Sequence, residues 1–348
     1  CSVRRHAEDR VLGRLGKYRK WKKNNPALLV GVIGCMAEIW GEKLWDTFPE
    51  LDLILGPGRF HRLAEEISGL LRSNGRKLLT GYEEETCFSS IIPSRFSGVR
   101  ASVTVMRGCD RFCSYCVVPF ARGREISRPP REIVEEIRQM GNRGIKEITL
   151  LGQNVNAYRG ADGKGRRIDF PELLRRVDRI DAIDRIRFIT SHPADVSQRL
   201  VAAMRNLEKV CESLHFPAQS GSNPVLERMG RGYTREAYLK TVAGLKESMP
   251  DIGLSSDFIV GFPGETEEDF DRTLDLLREV KFDQIFAFTY SPRPRLRAAR
   301  MRDDVPEKVK SGRLQRLFNL QKSIAAAKNQ TWIGRTCAVL VEGRNRKY

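Results

Sequence analysis

From about residue 99 to residue 330, short apolar runs alternate with helix-length amphipathic segments, and this alternation limits the possible folds more than any other feature of the chain. The runs fall at 102–106, 147–151, 186–190, 213–216, 254–260 and 284–290. Strands that recur only after an intervening helix are joined by crossovers rather than hairpins, so they pair in parallel. Six such β–α units imply a partial parallel, barrel-like α/β sheet. Between the last two runs, Thr266 followed by Asp269 has the form of a capping box, and Phe270, Leu274 and Leu277 continue one helical face. A parallel barrel places its chemistry just past the carboxyl ends of the strands. Each run here is followed by polar or glycine-containing residues: Gly108-Cys109, Gly152-Gln-Asn154, Ser191-His192, Gln219-Ser-Gly-Ser222, Gly261-Phe-Pro-Gly-Glu265 and Ser291-Pro-Arg293. Any one of these is explained by an ordinary turn. Their shared position favours a site.

The flanks are organised differently. Residues 1–75 read as an incomplete small α/β domain, with a charged helix over Glu8 to Trp21 and strands at Leu28 to Ile33 and Leu51 to Leu55. Residues 76–98, which mix Gly, Ser and Pro with the run Glu83-Glu84-Glu85, read as a linker before the barrel domain at 99–330. The stretch from 306 to 330 reads as a long helix. The alternation Thr336-Cys-Ala-Val-Leu-Val341 opens a β module over 333–348. The chain starts on Cys1 and stops at Tyr348 inside that module, so it reads as a fragment lacking both termini.

The first loop carries Met106-Arg-Gly-Cys-Asp-Arg-Phe-Cys-Ser-Tyr-Cys-Val-Val-Pro119, with Cys109, Cys113 and Cys116 inside eight residues. Disulfides explain this poorly, since three nearby thiols leave one over and the bridges would close very short loops. Soft thiolates in this spacing can instead wrap one face of a four-iron, four-sulfur cube and leave the fourth iron open to a small molecule. A zinc site is the alternative, although no second cysteine pair or nearby histidine completes a tetrahedral set. His192 and Glu265 have structural explanations as well as chemical ones, as a strand-end histidine and an acidic residue at a helix start.

Bulk properties narrow the setting. Sixty-one Lys and Arg against forty-four Asp and Glu give a formal charge of +17, which favours a polyanionic partner such as nucleic acid over a merely solubilising surface. No apolar stretch approaches the ~20 residues that span a bilayer, so no membrane partner is expected. Unpaired cysteines and an oxygen-sensitive cluster point to a reducing cytoplasm.

The C-x3-C-x2-C loop, with Tyr115 before its last cysteine, resembles the radical S-adenosylmethionine (SAM) superfamily. In that superfamily the open iron chelates the methionine part of SAM, and reduction releases a 5′-deoxyadenosyl radical. The resemblance implies SAM contacts at Tyr115, Gly152, Gln153, Ser191, Gln219 and Gly261, and catalytic cluster ligands at Cys109, Cys113 and Cys116. Four further runs look like the radical SAM methylthiotransferases: Leu150-Leu-Gly-Gln-Asn-Val-Asn-Ala-Tyr158, His215-Phe-Pro-Ala-Gln-Ser-Gly-Ser222, Met229-Gly-Arg-Gly-Tyr-Thr-Arg235 and Asp257-Phe-Ile-Val-Gly-Phe-Pro-Gly-Glu-Thr266. Cys1-Ser-Val-Arg and Gly34-Cys-Met-Ala37 are similar to that family's amino-terminal domain. Within the family the motifs are nearest to the branch that adds a methylthio group to C2 of N6-isopentenyladenosine beside the tRNA anticodon. The resemblance then implies two [4Fe-4S] clusters, the auxiliary one held by Cys1, Cys35 and a third cysteine upstream. One SAM serves as methyl donor and one as radical source. The implied partners are a tRNA anticodon stem-loop, a reductant protein and a sulfur donor, and the final β module is the start of a TRAM-like RNA-binding barrel. Cys87, Cys211 and Cys337 match no ligand position. At Ser291-Pro-Arg-Pro-Arg-Leu-Arg-Ala-Ala299 the chain departs from the Gly-Thr-Pro that the family more often has after the second proline. The alternatives are a methylthiotransferase acting on threonylcarbamoyl-adenosine in tRNA or on a ribosomal protein side chain and, outside enzymes, a non-catalytic metal-bearing RNA-binding module.

Overall fold

A computed structural model describes residues 2, 5–73, 75–82 and 98–343. The chain forms two compact units. One comprises residues 1–92 with 107–112 and 116–126, and the other residues 93–106, 113–115 and 127–348.

In the first unit, helix Arg5–Asn24 precedes a three-stranded parallel sheet of Gly31–Ile33, Leu53–Leu55 and Lys77–Leu79, with Gly31 opposite Leu53 and Leu53 opposite Lys77. Helices Cys35–Trp40, Lys43–Thr47 and Leu63–Arg72 make the crossovers that parallel pairing needs. Leu15, Val32, Met36, Leu44, Leu51 and Ile54 form the buried core. The first strand is shorter than the apolar run from Leu28 suggests, because the Val30 N–H is taken by the Asp52 carboxylate at 2.8 Å instead of a ladder. Lys77–Leu79 falls inside the expected linker yet is the third strand. Three residues are too few to show a period. The remainder of that linker, 83–97, lies outside the described residues, as do Cys1 and Cys87.

The second unit holds the six expected strands, at Arg100–Thr104, Glu147–Leu151, Arg185–Phe188, Ser213–His215, Gly253–Val260 and Gln284–Thr289. All pair in parallel, but in two three-stranded ladders rather than one continuous sheet. A parallel bridge from Ile186 to Val210 lies between the last strand of the first ladder and the first of the second. The fifth strand buries Leu254, Ser256, Phe258 and Val260 and leaves the alternate residues half-buried on its other face. Helices follow from their caps: Asp169, Ser197 and Thr234 each accept a first-turn N–H, and Thr266 with Asp269 forms the reciprocal capping box. A hairpin, Arg159–Ala161 with Arg167–Asp169, was not anticipated. Helix Glu307–Gln330 closes the unit. Of the expected β module at 333–348, residues 333–343 show no strand and 344–348 lie outside the described residues. One alternating run forms no ladder without a partner.

Candidate active site

Cysteine-loop geometry begins at Gly108, whose φ of +76° suits glycine and where a Cβ would lie 1.9 Å from the Arg124 carbonyl oxygen. Cys109 N–H donates to the Gly123 carbonyl at 3.2 Å. Asp110 and Glu125 exchange backbone-to-carboxylate hydrogen bonds at 3.1 and 3.3 Å. Farther along, Cys113 is buried, and its neighbour Ser114 is tied by N–H to the Met229 carbonyl and by hydroxyl to the Arg228 carbonyl, both at 2.8 Å. Arg231 Nη1 lies 3.4 Å from Cys113 Sγ and 3.4 Å from the Tyr115 hydroxyl. Cys35, Cys109, Cys113, Cys116, Cys211 and Cys337 are all thiols rather than disulfides. Burial pushes the Cys211 thiol up in pKa, away from ligand chemistry.

The strand-end residues of the second unit are connected side chain by side chain. Gly152 follows the second strand, and a Cβ there would lie 2.6 Å from Met106 Cγ, so only glycine lets this backbone approach the end of the first strand. Gln153 is half-buried beside it. Val155 N–H donates to the Thr190 carbonyl, and Asn156 exchanges two 3.0 Å hydrogen bonds with the His192 backbone, which draws the second and third strand ends together. Asn154 donates to Asp195 at 2.8 Å, a structural role. Ser191 is buried, and its Oγ has no hydrogen-bond partner among the described residues. His192 accepts the Ala194 N–H at Nδ1 and packs edge-on against Tyr233, as expected of a structural histidine. Tyr233 in turn donates toward the carbonyls of Pro217 and Ala218 at the fourth strand end. Gln219 adopts a left-handed φ of +69° while its backbone bridges Asp257 and Ile259 of the fifth strand.

At the far side, Tyr115 meets Phe262 edge-on at 6.3 Å, and Phe262 meets Tyr290 at 5.1 Å, linking the loop aromatic to the fifth and sixth strand ends. Gly261 also has a left-handed φ, +69°, and its N–H donates to Glu265 Oε2 at 2.6 Å. Glu265 is a buried carboxylate just before a helix, paired with Arg313 at 2.9 Å. The divergent 291–299 segment still turns, with Arg295 at φ +71° where the family's glycine would stand, and Ala298 N–H bonds the Ser114 carbonyl at 2.9 Å.

Arg231, Tyr233, Phe262 and Tyr290 are the residues that sequence reasoning passed over. Arg231 and Tyr233 lie inside Met229–Arg235, a run quoted above for its family resemblance that by itself names no contact. In the first unit, Cys35 is buried and opens a helix directly after Gly34 at φ +109°. Among the described residues no three or more His, Cys, Asp or Glu side chains gather to hold a metal ion. Thiolates that bind separate corners of a cube need not converge on one point, and the donor set remains the soft one a cluster requires.

Residues 103–277 match the radical SAM superfamily, and residues 1–56 match uncharacterized protein family UPF0004. The chain is 46% identical over all of its length to the tRNA-2-methylthio-N(6)-dimethylallyladenosine synthase of Caldicellulosiruptor saccharolyticus, covering 74% of that protein. It is 46% identical to the synthase of the same name from Clostridium novyi, over 99% of this chain and 76% of that one. The chain belongs to this family of radical SAM synthases. Members from Moorella thermoacetica are as near, at 45% identity over 99% of the chain and 78% of the relative. Among solved structures, the radical SAM methyltransferase TsrM from Kitasatospora setae superposes with a TM-score of 0.62 at 17% identity, over 82% of this chain and 62% of that one. The radical SAM enzyme OxsB gives 0.57 at 15% identity, over 93% and 46%. These two likenesses concern the fold alone. No helix among the described residues is long and apolar enough to cross a membrane.

Proposed function

We propose that the chain is a tRNA methylthiotransferase that adds a methylthio group to C2 of N6-isopentenyladenosine next to the anticodon. The observation that carries the reading is the side-chain path from Cys113 through Arg231 and Tyr233 to Pro217, with Tyr115 and Phe262 closing the other side, in a chain 46% identical to synthases of that name. The six parallel strands support a partial (β/α)6 barrel at 99–330, with 1–75 as the amino-terminal domain.

The residues present fit the groups the family implies. Cys109, Cys113 and Cys116 supply three soft donors, and the Arg231 guanidinium lies 3.4 Å from Cys113 Sγ. The buried, unsatisfied Ser191 Oγ offers a hydrogen bond to a ligand hydroxyl or carboxylate. Gly152 allows a ligand ammonium to approach its neighbours' carbonyls, while Tyr115 and Phe262 present an apolar wall suited to an adenine. Gln153, Gln219 and Gly261 complete that set. When bound, the radical cluster and SAM would supply reductive cleavage of the sulfonium, and an auxiliary cluster held in part by Cys1 and Cys35 would supply the sulfur. The chain's own part is to hold the thiolates, orient the ligand with Ser191 and the strand-end backbone, and exclude water with Tyr115, Phe262 and Tyr290. A reductant protein, a sulfur donor and a cytoplasmic setting follow from the same chemistry.

The decisive experiment is mass analysis of tRNA nucleosides from cells lacking the full-length protein and cells regaining it. Loss and return of the 2-methylthio-N6-isopentenyl nucleoside supports the reading. A change confined to threonylcarbamoyl-adenosine, or to a ribosomal protein, transfers it to the alternative substrates. Anaerobic purification with zinc but no iron or sulfide would support the metal-bearing RNA-binding module instead.

A further inference from the structure

Phe112 and Phe120 are 37% and 49% exposed, in contrast to the phenylalanines of the barrel core. Their rings meet edge to face, with centroids 6.4 Å apart. The Arg124 guanidinium lies 5.2 Å over the Phe112 ring and forms a 3.0 Å ion pair with Asp110. Phe112 has a left-handed φ of +48°, which is costly for a bulky residue and here turns an apolar ring outward. Phe120 stands on the short helix Val118–Arg122, and Arg111 and Arg122 flank the pair in sequence. A strained backbone that exposes an aromatic ring under an arginine gains nothing from the core.

We propose that Phe112, Phe120 and Arg124 form a stacking platform for an unpaired base of an RNA loop. The inference rests on the tRNA reading above and adds a binding site to it. Proteins that read RNA loops stack splayed-out bases on aromatic rings and guanidinium planes. The chain's charge of +17 favours the polyanion that carries those bases. An apolar protein partner would be less well served, because an arginine covers one ring and brings a charge into the contact. The platform adjoins Cys109 and Cys113 in sequence, so it would hold a loop base next to the loop on which the chemistry is proposed.

The test uses the full chain, reconstituted anaerobically, and an anticodon stem-loop RNA with 2-aminopurine in its loop. Stacking quenches 2-aminopurine, so binding should quench the unaltered chain's probe. Phe120→Leu and the double variant Phe112→Leu/Phe120→Leu should lose the quenching and bind about tenfold more weakly per ring removed. Iron per chain is measured on the same samples. Phe120→Leu lies off the cysteine loop, so it decides the matter if Phe112→Leu loses iron. Unaltered affinity and quenching in the double variant overturn the platform and leave the tRNA reading standing. Failure of the unaltered chain to bind the stem-loop overturns both. Tight binding without quenching by the unaltered chain overturns the platform alone.

Discussion

Arg231 is buried, and its guanidinium is occupied in four directions: Pro217 carbonyl at 2.9 Å, Tyr233 hydroxyl at 3.0 Å, Tyr115 hydroxyl and Cys113 Sγ at 3.4 Å. A buried cation without a carboxylate among these contacts is costly to keep, and its neighbours are costly to leave unmatched. Arg231→Gln should therefore lower stability by about 3 kcal/mol, measured by denaturant unfolding. Arg231→Lys should recover part of that loss, because the charge remains but the planar fork does not. Cys113→Ala should abolish 5′-deoxyadenosine formation and most iron retention while far-ultraviolet dichroism stays native, since two thiolates do not hold a four-iron cube. Full activity in Cys113→Ala would refute the ligand assignment. Gly108→Ala should disrupt the same loop with the cysteines intact, because its Cβ meets backbone rather than a movable side chain. A drop in melting temperature together with reduced iron is the expected result. Cys109, Cys113 and Cys116 could be singled out from spacing as candidate ligands, since the chemistry of three thiolates is local. Arg231 could not, because three of its four partners, Pro217, Tyr115 and Cys113, lie 14 to 118 positions away and only the fold brings them together.

Among the elements, the loop at Gly261–Glu265 has the clearest electrostatics. Burial pushes the Glu265 carboxyl up to about 7, outweighing the Gly261 N–H and Arg313, which both favour the charged form. The folded state thus keeps a proton that the unfolded chain, at 4.5, gives up. Stability should then fall as pH rises from about 4.5 to about 7 and flatten above that, by a total on the order of 3 kcal/mol. Glu265→Gln should remove that slope, as followed by unfolding midpoints across this range. An unchanged slope in the variant would assign the pH dependence to other groups. Six strands and the capping box at Thr266 were legible because their signals are local: apolar runs bounded by glycine, and a Thr-x-x-Asp pattern at a helix entry. The strand at 77–79 and the hairpin at 159–169 were not, because each is three residues long on a side and is decided by the partner strand. The first strand of the second unit ends two residues before the sequence pattern suggests, at Thr104.

At the scale of the whole molecule, charge is the property that sequence alone supplies with most force. Association with tRNA should begin electrostatically, and affinity should fall by at least about tenfold between about 50 and about 200 mM salt. A flat salt dependence would count against nucleic acid and favour a protein substrate. The order of strands and helices was legible wherever the two alternate; the carboxyl-terminal alternation shows no strand among the described residues, since a pattern of outward and inward residues says nothing about whether a neighbouring strand is present to pair with it. Helix Glu307–Gln330, finally, governs more than the closing of a unit. Lys310 is buried against Gly261, Arg313 reaches Glu265, and Gln321 donates to the Phe282 carbonyl. A ribosome delivers these three side chains last, after all six strands. The nascent chain should therefore hold a complete set of strands with the 261–265 loop unsupported until residue 313 has left the exit tunnel, so the timing of synthesis, and not only its product, bears on when that loop is set.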